Sequence, residues 1–157
     1  MGPAFNRLWA GSIISNLADG VLIAAAPLLA ITLTDSTVLI SIIGAMVMLP
    51  WLLFAMPIGV MVDRVDRRYI LAGSNAIRSS VIGIMALGIA TGHVTIYWLI
   101  FSAFIIGVCE VATDTTAQSL IPQILDKEHY EKGNSRLQIS ETVIQGFIGS
   151  PLSGFLY

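Results

Sequence analysis

A short charged stretch, Gly59-Val60-Met61-Val62-Asp63-Arg64-Val65-Asp66-Arg67-Arg68, decides the fold of this chain. The segment before it, 38–62, contains no charged residue, and the segment after it, 70–90, contains only Arg78. Apolar runs of this length are long enough to cross a bilayer, which takes about 20 residues. The charged stretch is therefore predicted to form a turn at a membrane surface.

The composition indicates the same class of protein. The chain has 157 residues, of which 55% are hydrophobic and 11% charged, whereas soluble domains are about 25% charged. The single cysteine, Cys109, lies in an apolar run and has no metal-site spacing around it. A basic tract for nucleic acid, a phosphate-binding loop and a serine elbow are all absent from the sequence. We therefore expect no enzyme activity, no cofactor, no metal site and no nucleic-acid partner.

Five apolar segments are predicted to span the membrane as helices. Their approximate bounds are 8–33, 38–62, 70–90, 94–117 and 140–157. The segment 119–136 is polar and is expected to be a connection, with His129 as a solvated residue within it. The predicted fold class is an all-α integral membrane protein.

Basic residues are distributed unevenly over the predicted connections. Placing the N-terminus inside puts seven of the eight basic residues on the inner side: Arg7, Arg64, Arg67, Arg68, Lys127, Lys132 and Arg136. Cytoplasmic loops are the ones enriched in Lys and Arg. The pattern predicts a multi-pass protein of the cytoplasmic membrane with a cytoplasmic N-terminus.

The spacing Gly-x-x-x-Asp-Arg-x-x-Arg-Arg resembles a known family signature. Gly59, Asp63, Arg64, Arg67 and Arg68 match the loop between helices two and three of the major facilitator superfamily of secondary transporters. The chain looks closest to the drug–proton antiporter branch, which includes macrolide-efflux and enterobactin-export proteins.

Weaker similarities extend along the chain. They include Leu49-Pro50-Trp51, Leu120-Ile121-Pro122 and the segment 146–154. That last segment resembles the Gly-Pro-x-x-Gly-Gly motif of antiporters. It departs from the motif where Ser150 replaces the glycine before proline and Phe155 replaces the last glycine.

The resemblance implies a twelve-helix fold of two six-helix halves, each built from inverted three-helix repeats. These 157 residues would then be an N-terminal fragment holding the first five helices. The implied function is secondary active transport by alternating access, as proton-coupled efflux of a drug-like or siderophore-like compound. The implied partners are a small-molecule substrate, protons, the lipid bilayer and the missing C-terminal half of the chain.

Asp19 is the candidate proton-coupling residue. It lies 11 residues after Leu8, which is about 16 Å along a helix and close to the bilayer midplane. Acids at that depth usually face a cavity or a partner, and desolvation allows them to exchange protons near neutral pH. The alternative is a structural acid that is hydrogen-bonded to Asn16 or to a neighbouring helix.

The family resemblance assigns an inner gate to the charged stretch. It implies that Gly59 lets the helix end pack closely, that Asp63 faces the opposing half, and that Arg67 pairs with Asp114. An ion-pair cluster of this kind is present in one access state and broken in the other. If the second helix continued through the stretch, Asp63 with Arg67 and Arg64 with Arg68 would share faces at i, i+4 spacing. The alternative is that the arginines only fix the orientation in the membrane.

Two further charges lie inside predicted spans. Arg78 belongs to the third span, and Glu110 lies four residues before Asp114 on the fourth. Charges within a membrane commonly pair with one another, so a buried Arg78–Glu110 pair is a structural hypothesis.

Two other functions are compatible with the sequence. Glu110 and Asp114 could be catalytic carboxylates of an integral-membrane enzyme. The chain could also be a non-transporting membrane scaffold or assembly partner.

Overall fold

The structure is a computed structural model that describes residues 3–125 and 127–144, without the side chains at positions 3, 4, 15, 18, 19, 21–23 and 128. The described residues form five α-helices and one short 3-10 turn. In chain order they are α1 (Pro3–Leu33), α2 (Thr37–Arg64), α3 (Arg67–Ala90), α4 (Ile96–Ile124), the 3-10 turn Lys127–His129 and α5 (Tyr130–Ser140). A π-helical turn at 141–144 continues α5.

Three of the described helices, α2, α3 and α4, are long and apolar enough to cross a membrane. The shortest of them, α3, has 24 residues and is about 36 Å long, against about 30 Å of bilayer hydrocarbon. In α1 the apolar stretch among described side chains is Ala24–Leu33. The predicted all-α membrane fold is confirmed. The fifth predicted span, 140–157, lies largely outside the described residues.

The outer surface of α2 is apolar. Leu52 is 82% exposed and Met56 is 86% exposed, and only four residues of this 28-residue helix are buried. Large contiguous apolar patches are rare on soluble proteins because water is a poor solvent for them. A bilayer removes that penalty, so the exposed face of α2 is suited to lipid or to another membrane helix.

The described residues divide into two compact units. One is Leu29–Thr116, here called the middle unit, and the other comprises the described residues of Met1–Leu28 and Ala117–Tyr157, here called the terminal unit.

In the middle unit, α2, α3 and α4 share a core. Its fully packed cluster consists of Ile58, Val62, Ile70, Val111 and Ala112. The helices approach closely at Gly107, where an added Cβ would lie 2.9 Å from Cγ of Pro50 and 3.0 Å from the carbonyl O of Val47. Small residues permit this spacing between membrane helices.

In the terminal unit, the start of α1 packs on the end of α4 and on α5. Phe5 is fully buried against Ile121 and Leu125. An added Cβ at Gly133 of α5 would meet the side chains of Leu125 and Phe5. The indole Nε1 of Trp9 donates to Oγ of Ser140 at 2.6 Å, which joins α1 to the end of α5.

The segment 119–136 differs from the expected polar connection. Helix α4 continues to Ile124, and after the 3-10 turn α5 begins at Tyr130. The helix persists because Ile121 and Leu125, four residues apart, both bury their side chains against Phe5. The buried face of this segment is apolar although its average composition is polar.

Candidate functional site

The charged stretch forms a sharp turn between α2 and α3. Helix α2 ends at Arg64, and Val65 and Asp66 both have extended backbone angles. The N–H of Val65 donates to the carbonyl O of Met61 at 2.9 Å, which completes the last turn of α2. Oδ1 of Asp66 accepts from the N–H of Arg68 at 2.9 Å and caps the start of α3.

This cap changes the geometry expected for the stretch. A helix continuing through it would put Asp63 with Arg67, and Arg64 with Arg68, on shared faces. That condition is not met, because α2 stops before Val65 and α3 starts at Arg67. Asp is a preferred N-cap because its carboxylate satisfies free N–H groups of the first turn. Asp66 occupies a variable position of the family spacing and caps the new helix that begins at Arg67.

Arg67 and Asp114 both flank the core cluster of the middle unit. Arg67 precedes the buried Ile70 by three residues on α3, and Asp114 follows the buried Val111 by three residues on α4. Residues three apart share a helix face. Because α4 returns along α3, both side chains lie at the same end of the cluster, one turn beyond it. Both are half-buried, and each takes part in at least one polar or electrostatic interaction.

The other charged residues of the stretch are more exposed to solvent than Arg67. Asp63, Arg64 and Arg68 are exposed. Leaving aside its chain neighbours and the backbone of its own helix, Gly59 has no described atom within 4 Å of the place that a Cβ would occupy. The close packing expected at Gly59 is therefore not made with the described residues.

Arg78 is the buried cation of the middle unit. It is 5% exposed and lies on one stripe of α3 with Ile70 and Ser74, at successive i, i+4 positions. Its guanidinium is near enough to Cys109 to act electrostatically on the thiol. Glu110, the next residue on α4, is half-buried, and Arg78 and Glu110 each take part in a further polar or electrostatic interaction.

Asp19 lies within α1, but its side chain is outside the described part of the structure. The backbone at this position is helical, and Asn16, one turn earlier, is buried. The mid-membrane depth of Asp19 stays a prediction.

Sequence reasoning missed a polar cleft in the terminal unit. This polar cleft has a volume of about 630 Å³ and is open at the protein surface. Its lining residues come from α1, the 3-10 turn and α5: Asn6, His129, Glu131, Lys132, Ser135 and Arg136. His129, expected to be solvated, is half-buried here. The i, i+4 spacing of Lys132 and Arg136 was the available signal, but it required α5 to be recognised as a helix.

Long apolar helices joined by a capped, arginine-rich turn are typical of a polytopic membrane protein. The family model of the Major Facilitator Superfamily matches residues 8–157, so the chain belongs to that family, whose members are membrane transporters. No curated protein and no solved structure matches the chain.

Proposed function

We propose that this chain is the N-terminal part of a secondary active transporter that works by alternating access. In this mechanism two six-helix halves rock about a site near the membrane midplane. The proposed cargo is a small amphipathic compound of the drug-like or siderophore-like class, exported in exchange for protons. The proposed location is the cytoplasmic membrane, with the N-terminus in the cytoplasm, as the distribution of basic residues favours.

One observation carries the proposal. Arg67 and Asp114 are half-buried at the same end of the middle unit, beside the turn that Asp66 caps. Opposite charges held at the edge of a packed helix cluster can pair in one arrangement and separate when the helices move. Arginines that served only to orient the chain would need no half-buried acid at the same end of the helix cluster.

Asp19 is the proposed coupling residue. A carboxyl group within the membrane is stable only if it is protonated, paired or in contact with water. Protonation in one access state and release in the other would link proton entry to substrate exit. This role also explains why a carboxylate occurs in the middle of α1, where it opposes insertion.

The test uses the full coding frame of the gene, reconstituted in proteoliposomes with an imposed pH gradient. Radiolabelled erythromycin and enterobactin are the probes, and a trapped pH dye reports proton movement. We expect gradient-driven movement of at least one probe, and Asp19→Asn to abolish proton movement while the protein remains folded. Asp35→Asn, which changes an exposed aspartate in the α1–α2 turn, is the matched control.

Two results would overturn parts of the proposal. Transport of a probe with undiminished proton movement in Asp19→Asn would remove Asp19 as the coupling residue. An absence of gradient-driven flux for both probes, in protein that is folded and correctly inserted, would contradict the proposed coupling and cargo.

A further inference from the structure

Two prolines lie inside α2, and they differ in burial. Pro50 is among the most fully buried side chains of the described residues, whereas Pro57 is exposed. A proline has no backbone N–H, so Pro50 cannot donate to the carbonyl O of Met46, four residues earlier. The backbone of α2 therefore lacks a helical hydrogen bond at the level of residues 46–50, inside the packed middle unit.

Gly107 of α4 meets α2 at this level. An added Cβ on Gly107 would lie 2.9 Å from Cγ of Pro50 and 3.0 Å from the carbonyl O of Val47. The carbonyl O of Met46 would lie 3.5 Å from the same point. Glycine has a hydrogen on Cα in that direction, and neighbouring helices commonly satisfy the carbonyl groups that a proline leaves without a donor. A Cα–H contact has about half the strength of an N–H···O bond, so it supports α2 here without locking it.

The two halves of α2 on either side of Pro50 are held unequally. The second half, 51–64, contributes Ile58 and Val62 to the cluster that α2, α3 and α4 share. The structure describes every side chain of the first half, 37–49, and among them Ile43 alone is buried. The second half is thus fixed to its neighbours, while few contacts with the described residues oppose a movement of the first half.

We propose that the segment 46–50 is a hinge of α2 and that Gly107 is its pivot. Proline is a common cause of bending in helices, because its ring and its missing N–H weaken the hydrogen-bond ladder. At this hinge the first half of α2 changes its angle while the second half and the charged turn keep their packing. The inference does not rest on the proposed function, because the movement is measured without substrate and without a gradient.

Distances between pairs of spin labels, measured by double electron–electron resonance, test the hinge. The protein is expressed from the full coding frame with its native cysteines replaced by alanine, and it is reconstituted in lipid nanodiscs. Val38→Cys and Leu87→Cys carry the hinge pair of labels, which joins the first half of α2 to the end of α3. Met56→Cys and Tyr69→Cys carry the control pair, which joins the second half of α2 to the start of α3. All four side chains are exposed, so the labels do not disturb the core.

The expected result is a broader distance distribution for the hinge pair than for the control pair. Pro50→Ala supplies the missing N–H and should narrow the hinge-pair distribution to the width of the control pair. Pro57→Ala is the matched control, because it restores a backbone bond within the packed half and should leave the hinge-pair distribution unchanged. Fraying at the start of α2 would also broaden the hinge-pair distribution, but it would not respond to Pro50→Ala.

Three results would overturn the proposal. Equal widths for the two label pairs, with both prolines in place, would show that α2 moves as one rigid helix. A hinge-pair distribution that stays broad in folded Pro50→Ala protein would assign the movement to fraying. Equal narrowing in Pro50→Ala and Pro57→Ala would show that the position of Pro50 against Gly107 has no special role. The first comparison needs no proline variant, so it tests the hinge even if Pro50→Ala does not fold.

Discussion

The indole N–H of Trp9 donates a 2.6 Å hydrogen bond to Oγ of Ser140, 131 residues further along the chain. Ser140 is buried, and the proton of its hydroxyl is directed to the carbonyl O of Arg136, so a lone pair of Oγ faces the indole. Trp9→Phe keeps an aromatic ring and removes the donor. We expect a loss of about 1 kcal/mol in stability, the usual net value of one hydrogen bond. Thermal unfolding in detergent measures it.

A double-mutant cycle isolates this bond from the other contacts of the two side chains. Ser140→Ala should also destabilise the protein, and the double variant should lose less than the sum of the single losses. Strictly additive losses would show that the Trp9–Ser140 bond contributes nothing to stability.

The cap at Asp66 is expected to stabilise the start of α3. Asp66→Ala leaves the N–H of Arg68 without its 2.9 Å acceptor, and loss of an N-cap costs about 1 kcal/mol. Asp66→Asn should retain most of the stability, because an amide oxygen can accept the same bond. Asp35→Ala, at an exposed aspartate of the α1–α2 turn, is the control for loss of a turn carboxylate. Equal melting temperatures for Asp66→Ala and wild type would contradict the cap.

Gly107 is expected to be intolerant of a side chain. Its missing Cβ leaves the space that Pro50 and the carbonyl O of Val47 occupy, so Gly107→Ala forces α2 and α4 apart. Overpacking of this kind costs about 1–3 kcal/mol. Gly83→Ala is the matched control, because no described atom beyond its chain neighbours and its own helix backbone lies within 4 Å of the added Cβ. Alanine is the better helix former, so this control should be neutral or stabilising by up to about 1 kcal/mol.

Melting temperatures of the two glycine variants, measured in the same detergent, give the comparison. A Gly107→Ala protein as stable as Gly83→Ala would mean that the approach of α2 to α4 is looser than the structure indicates.

Much of the fold follows from hydropathy and turn residues. The apolar runs around the charged stretch predicted α2 and α3, since helices of that length satisfy every backbone group inside a bilayer. The tight turn at residues 91–93 also follows from local chemistry. Gly92 adopts a φ of 69°, a conformation that glycine takes without steric cost.

The rest depends on contacts that a linear pattern does not contain. The cap from Asp66 sets the start of α3 at Arg67. The charged residues on either side of this cap have i, i+4 spacings that are also compatible with a continuous helix. The helical structure after Ser119 depends on Phe5, more than 100 residues away in sequence. The polar cleft combines Asn6 with residues of α5, so no single motif could have revealed it.

The proposed pair of Arg78 and Glu110 can be tested by neutralising each partner. Arg78 is 5% exposed, and a buried charge that loses its partner destabilises a protein by about 3–5 kcal/mol. Arg78→Gln and Glu110→Gln should each lower the melting temperature and the yield of monodisperse protein. The double variant should recover most of the melting temperature and most of the yield, because neither charge is then left alone.

Arg68→Gln controls for the loss of an arginine, since Arg68 is exposed on the same helix. Arg68→Gln should change neither the melting temperature nor the yield of monodisperse protein. Losses that accumulate in the double variant would mean that Arg78 and Glu110 act with different partners.

Charge exchange tests the proposed gate between Arg67 and Asp114. Both lie one turn beyond the same packed cluster, so reversing either charge places like charges together at that end. Arg67→Asp and Asp114→Arg should each reduce the transport rate of the full protein by about tenfold or more, a typical size for coupling between two states. The exchanged double variant restores opposite charges and should regain a substantial part of the rate.

Folding and transport must be measured together, because a gate and a purely structural pair differ only in the second readout. A structural pair predicts that the single variants lose melting temperature and transport in parallel. A gate predicts a loss of transport rate larger than the drop in melting temperature can explain, because reversed charges shift the balance between access states. Arg68→Asp reverses an exposed charge on the same turn and should have a smaller effect. If Arg68→Asp and Arg67→Asp reduce transport equally, net charge at the turn matters and the specific pair does not.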